Sequence, residues 1–199
     1  MVSARLYIEG GESKEDQIRC REGFRKLLEK AGLSGRLPRL TACGGRNSAF
    51  DDFRTAFAKR KEGDYIAMLI DSEDPPGDIE QTWNHLNQRD GWTRPEAAND
   101  EQVLFMTTCM ETWIVADRAT LREHYGNRLQ ENALPPLIDL EKRDRHEVHD
   151  QLLHASRNCA NAYAKGKRSF EVLAKLDPAI LKQYLPSFVR VDRILKANL

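Results

Sequence analysis

Asp64-Tyr65-Ile66-Ala67-Met68-Leu69-Ile70, followed at once by Asp71-Ser72-Glu73-Asp74-Pro75-Pro76-Gly77, is the stretch on which the fold turns. Its first half is the most apolar of three strand-like runs. Its second half cannot extend that strand, because two prolines and a glycine impose a loop. A second run, Arg5-Leu6-Tyr7-Ile8, ends at Glu9-Gly10-Gly11, where paired glycines signal a tight turn. A third, from Pro38 to Cys43, is closed by Gly44-Gly45.

Between these strands lie helical patterns. Ser13 is placed to cap a helix reaching about Gly32, with Ile18, Phe24, Leu27 and Leu28 as its apolar stripe. Asn47 or Ser48 opens a second helix, carrying Phe50, Phe53 and Phe57. Alternating strands and helices imply a mainly parallel sheet flanked by helices, with right-handed crossovers. Ligands of such sheets bind outside the carboxyl ends of the strands. Glu9, Gly44-Gly45-Arg46 and Asp71 all belong to that edge.

Further along, Ile79 to Gln88 reads as a short helix and Gln102 to Thr108 as a fourth strand. Met110 to Asp117 continues as helix, and Ala133 to Asp144 reads as a loop. From Arg145 onward the pattern is helical, broken near Gly166, Pro178 and Pro186. This divides the chain into an α/β core over 1–120 and a helical extension over 121–199, packed as one body.

Composition narrows the class. The chain has 199 residues, 40% hydrophobic and 31% charged, so it is globular and not disordered. No apolar run nears the roughly 20 residues that span a bilayer, and no export signal is legible, so the expectation is cytoplasmic. The four cysteines form no close pair or zinc spacing and read as reduced thiols. Net charge is zero, from 31 basic and 31 acidic residues, which argues against tight nucleic-acid binding by this chain alone, although a local basic patch can suffice. The five histidines read as surface residues, and Trp83, Trp92 and Trp113 as core anchors.

The candidate chemistry is acidic. Carboxylates crowded at strand ends repel one another unless solvent or a cation offsets them. Hard oxygen donors suit Mg²⁺ or Mn²⁺. Glu9, Asp71 and Asp74 are the candidate ligands, with Glu73 an alternative to Asp74 and Glu111 a further catalytic or second-metal candidate. The competing account is a solvated acidic loop, with Glu111 a buried or capping residue beside Trp113. Gly10-Gly11-Glu12-Ser13-Lys14 lacks the spacing of a nucleotide P-loop. Ser13 and Lys14 could still hold a phosphate at a helix start. Arg46, Lys165, Lys167 and Arg168 are the other phosphate-binding candidates, the last three competing with a solvated surface.

The order Leu6-Tyr7-Ile8-Glu9-Gly10, then Leu69-Ile70-Asp71-Ser72-Glu73-Asp74, resembles the Toprim domain of topoisomerases, primases and OLD-type nucleases. There, a Glu ends the first strand and an Asp-x-Asp pair ends a later one. Kept spacing puts the middle acid at Glu73, and a turn one residue longer puts it at Asp74. Met110-Glu111-Thr112-Trp113 resembles a segment of the RloB-like Toprim proteins. Glu9 to Lys14, Cys43 to Asn47, Asp71 to Asp74, Arg89 to Trp92, Cys109 to Trp113 and Lys165 to Glu171 together resemble a bacterial Toprim-like family of unassigned activity. The resemblance implies Mg²⁺-dependent nuclease chemistry on DNA or RNA, often in anti-phage defence beside an AAA or ABC-type ATPase. The alternatives are a catalytically silent subunit of an ATPase complex and a small-molecule phosphohydrolase.

Overall fold

The computed structural model describes residues 3–199. Four strands, β1 (Ala4–Ile8), β2 (Arg39–Ala42), β3 (Tyr65–Asp71) and β4 (Val103–Met106), form one sheet in the order β2-β1-β3-β4. Every pairing is parallel: Ile8 lies opposite Ala42 on one side and Leu69 on the other, and Ile70 lies opposite Phe105. The central position of β3 explains its uniform apolarity, since Tyr65 to Ile70 are all buried.

Alternation along β3 feeds two cores. Ile66, Met68 and Ile70 pack with Phe50, Phe53 and Phe57 of α2 (Arg46–Ala58) and with Trp83 and Leu86 of α3 (Thr82–Asp90). Ala67 and Leu69 face the other way, against Phe24 and Leu27 of α1 (Lys14–Leu28) and Trp113 of α4 (Met110–Ala116). A π-helical turn over Glu29–Leu33, with Gly32 at φ 96°, ends the first helix within a residue of the expected boundary.

The remaining helices are α5 (Arg118–Tyr125), α6 (Arg145–Ser156), α7 (Lys167–Leu173), α8 (Pro178–Tyr184) and α9 (Pro186–Asn198). Pro178 and Pro186 begin helices, because a first-turn position needs no N–H. The larger core contains side chains from β1, β4, α4, α6, α7 and α9 together. Arg190 of α9 ties that region to the edge strand. Its guanidinium donates to the carbonyls of Val103 at 2.8 Å and Asp100 at 2.7 Å, and pairs with Glu80 at 3.0 Å.

Candidate metal centre

The strand order reverses direction between β1 and β3, where the crossovers α1 and α2 depart to opposite faces of the sheet. That divergence opens a crevice at the carboxyl edge. Glu9 and Asp71 stand on its two sides. The Asp71 N–H donates to Glu9 Oε2 at 3.1 Å, and the Glu9 N–H to the Leu69 carbonyl at 2.9 Å. Gly10 and Gly44 exchange backbone hydrogen bonds of 2.7 and 3.0 Å, drawing the β1 and β2 loops together. Gly11 adopts φ 82°, and a Cβ there would lie 2.7 Å from the Gln17 backbone, so no other residue fits this turn.

One carboxylate oxygen each from Glu9, Asp71 and Glu73 lie within 4.8 Å of one another. Glu73 owes its place to the main chain. Its φ is 71°, and its N–H donates to the Thr108 carbonyl at 2.8 Å. Its Oε2 meets Arg89 at 3.0 Å and also Arg145 at the start of α6. Asp74 turns away: it is exposed and pairs with Arg89 at 2.8 Å. The expected Glu9–Asp71–Asp74 trio is therefore replaced by Glu9–Asp71–Glu73, because the left-handed turn at Glu73 redirects the loop.

A cleft of about 270 Å³ opens beside the acids, lined by Glu9, Asp71, Glu111 and Lys165 among others. Asp71 Oδ1 accepts the Met110 N–H at 2.8 Å, a contact at the start of α4. Burial, with Glu9 and Glu111 nearby, pushes the Asp71 carboxyl well above its usual range. Burial also raises Glu9, although the Arg46 guanidinium opposes it. Glu111 is buried and accepts from the Tyr163 hydroxyl at 2.5 Å. Burial and Glu111 together hold the Tyr163 phenol well above its ordinary value.

Other sequence candidates have definite occupations. Ser13 Oγ caps α1 through the Asp16 N–H at 3.1 Å and donates to Asp16 Oδ2 at 2.8 Å. Lys14 is exposed on the first turn. Arg46 donates to the Asp71 carbonyl, pairs with Asp90 at 2.7 Å, lies 3.8 Å from Glu9 and sits over the Trp92 ring. Lys165 reaches the cleft, whereas Lys167 and Arg168 are exposed outside its lining, and Arg168 donates to the Ala162 carbonyl at 2.7 Å.

Several neighbours of the acids escaped sequence reasoning. Arg89 and Asp90 carry no signal of their own beyond the Arg89 to Trp92 segment of the family resemblance, and Trp92 reads only as a core anchor. Arg145 and Tyr163 give no signal. The histidines also divide. His146 and His154 are exposed, but His85 is half-buried and its Nε2 lies 2.9 Å from the Ser72 carbonyl, under the acidic loop. Trp83 and Trp113 are core residues, while Trp92 is half-buried and stacked on Phe50 at 4.1 Å. All four cysteines are free thiols, and burial pushes Cys20 and Cys43 up to about 12.

Among the described residues, no helix is long and apolar enough to cross a membrane. No curated protein and no solved structure matches the chain. A family model described as "Domain of unknown function (DUF4276)" matches residues 13–191, which spans most of the chain and leaves Glu9 just before it. The chain belongs to the DUF4276 family.

Proposed function

We propose that the chain is a Toprim-like, Mg²⁺- or Mn²⁺-dependent phosphodiesterase acting on nucleic acid. The observation that carries this reading is the convergence of Glu9, Asp71 and Glu73 at the strand-order reversal. Each acid commits one oxygen to the protein: Glu9 Oε2 to Asp71, Asp71 Oδ1 to Met110, and Glu73 Oε2 to two arginines. The second oxygen of each has no protein partner among the described residues. Such an arrangement fixes the carboxylates yet leaves hard donors for a cation. Six carboxylates (Glu9, Asp71, Glu73, Asp74, Asp90 and Glu111) stand with four cations (Arg46, Arg89, Arg145 and Lys165), a formal excess of two negative charges, which one divalent ion offsets.

A bound cation would act as a Lewis acid toward a phosphoryl oxygen and acidify water. The protein's own part is to hold Asp71 against the α4 N-terminus and Glu9 against Asp71. Glu9 either shares the cation or carries a proton at the reacting oxygen. Glu111, fixed by Tyr163, stands beside Asp71 as the candidate for a second cation. The defence setting and the ATPase partner are supported by the family resemblance alone.

One observation favours a second reading, a silent interaction subunit: arginines already neutralise much of the acidic cluster. The test is incubation of the purified chain, alone and with a co-expressed ATPase, with DNA, RNA and a nucleotide panel. Each is run with Mg²⁺, Mn²⁺ or EDTA. Metal-dependent cleavage that Glu9→Gln and Asp71→Asn each abolish is expected. Full activity of both variants in a system where wild type cuts would reject the reading.

A further inference from the structure

Four cationic side chains surround the acidic cluster, but they are not equally engaged. Arg46 is committed to Asp90, Glu9 and the Asp71 carbonyl. Arg89 is committed to Glu73, Asp74 and Asp90. Arg145 meets one carboxylate oxygen, Glu73 Oε2, through Nη1, and its other donors have no partner among the described residues. Its side chain keeps 34% exposure. Lys165 lines the cleft, is exposed, and has no hydrogen bond or ion pair among the described residues.

Both underused cations bear electrostatically on Glu9, and Lys165 also on Asp71. They come from different places in the helical region, Arg145 from the start of α6 and Lys165 from the loop before α7. They therefore converge on the acids from outside the sheet. Guanidinium and ammonium groups with spare donors beside a candidate cation site match the non-bridging oxygens of a phosphodiester.

We propose that Lys165, in the cleft, and Arg145, beside it on Glu73, receive the phosphate of a polynucleotide next to Glu9 and Asp71, with Arg145 exchanging Glu73 for that phosphate as Glu73 turns to the cation. The inference rests on the metal reading above and extends it to the substrate contacts. In the unloaded protein, Glu73 and Arg145 satisfy each other, so neither is left as a bare charge. Loading separates them, and each gains a partner of opposite sign.

Two binding measurements test this. Mn²⁺ affinity is read by electron paramagnetic resonance. Binding of short fluorescein-labelled single-stranded DNA and RNA is read by anisotropy in Ca²⁺. Arg145→Gln should weaken binding of the preferred oligonucleotide about tenfold, the worth of a lost charged hydrogen bond. It should also lower the salt dependence by about one counterion. Its Mn²⁺ affinity should equal or exceed that of wild type, because one of the two guanidiniums competing for Glu73 is removed. Lys165→Gln should behave alike, and Arg145→Lys should restore the salt dependence with only part of the affinity. Lys61→Gln, a charge-matched change before β3 at the opposite end of the sheet, should match wild type.

Intact Mn²⁺ binding with unweakened oligonucleotide binding in Arg145→Gln would overturn this proposal alone. So would a parallel loss of Mn²⁺ affinity, which would make Arg145 a support of the acidic loop. Wild type that binds Mn²⁺ but neither oligonucleotide would overturn it as well. Wild type without Mn²⁺ binding would remove the metal reading and this inference together. If Arg145→Gln fails to fold, Lys165→Gln decides the question by the same readouts.

Discussion

Glu9 Oε2 accepts the Asp71 N–H over 3.1 Å, so the carboxylate ending the first strand is tied to the main chain ending the third. The sheet holds the two main chains side by side, and this bond holds the Glu9 carboxylate near Asp71. Their repulsion is therefore built into the fold, and the following expectations concern what relieves it.

The cation should depend on Glu73 and not on its neighbour. Glu73→Gln is expected to lower Mn²⁺ affinity about tenfold or more, whereas Asp74→Asn should change it little, since that side chain is exposed on Arg89. Isothermal titration of both variants checks this. Equal losses would mean that the loop rearranges to bring Asp74 inward.

Asp71 should make the unloaded protein sensitive to pH. Its folded-state carboxyl lies well above the ordinary value of 3.8, through burial first and Glu9 and Glu111 next. The folded form thus holds this proton more tightly than the unfolded form does. Stability from this group is full below 3.8 and is lost as pH rises through the raised folded value. Relative to Asp71→Asn, wild type should lose melting temperature across that interval in EDTA. Mn²⁺ should recover it in wild type and less in the variant.

Arg46 should matter for stability, and not only as the phosphate contact that the sequence suggests. It is the guanidinium that links Asp90, Glu9 and the Asp71 carbonyl beside Trp92. Arg46→Gln leaves these groups short of a counter-charge and should cost about 3 kcal/mol in urea denaturation. Arg46→Lys should recover only part, because an ammonium cannot serve three acceptors with the same planar fork. A loss under about 0.5 kcal/mol would mark the network as energetically idle.

A second pH effect belongs to Glu141, away from the cleft. Its carboxylate accepts the Ser187 N–H at 3.1 and 3.2 Å, near the start of α9, yet burial outweighs those bonds and raises the carboxyl to about 7. Stability from this group is full below the ordinary 4.5 and is lost as pH rises through about 7. Wild type should therefore fall relative to Glu141→Gln by on the order of 3 kcal/mol between those limits. Parallel melting curves of the two proteins over that range would contradict it.

The strand order β2-β1-β3-β4 is not legible in the chain, but four strands, a mainly parallel sheet and the edge at which Glu9, the Gly44-Gly45 turn and Asp71 meet are. Those features follow from local causes: apolar runs that must be buried, and glycines and prolines that must end them. Packing across the fold fixes which acids share a site and which cations attend them. The sequence offers Asp74 first and Glu73 as its alternative. The left-handed turn at Glu73, bonded to Thr108, and the guanidiniums of Arg89 and Arg145 separate them. Likewise Arg46 read as a free phosphate contact, but its charge is drawn inward by Asp90. Electrostatic partners act through space across several ångströms, and those across a fold leave no periodicity in the chain, so their pairing is fixed only when the helices close over the sheet.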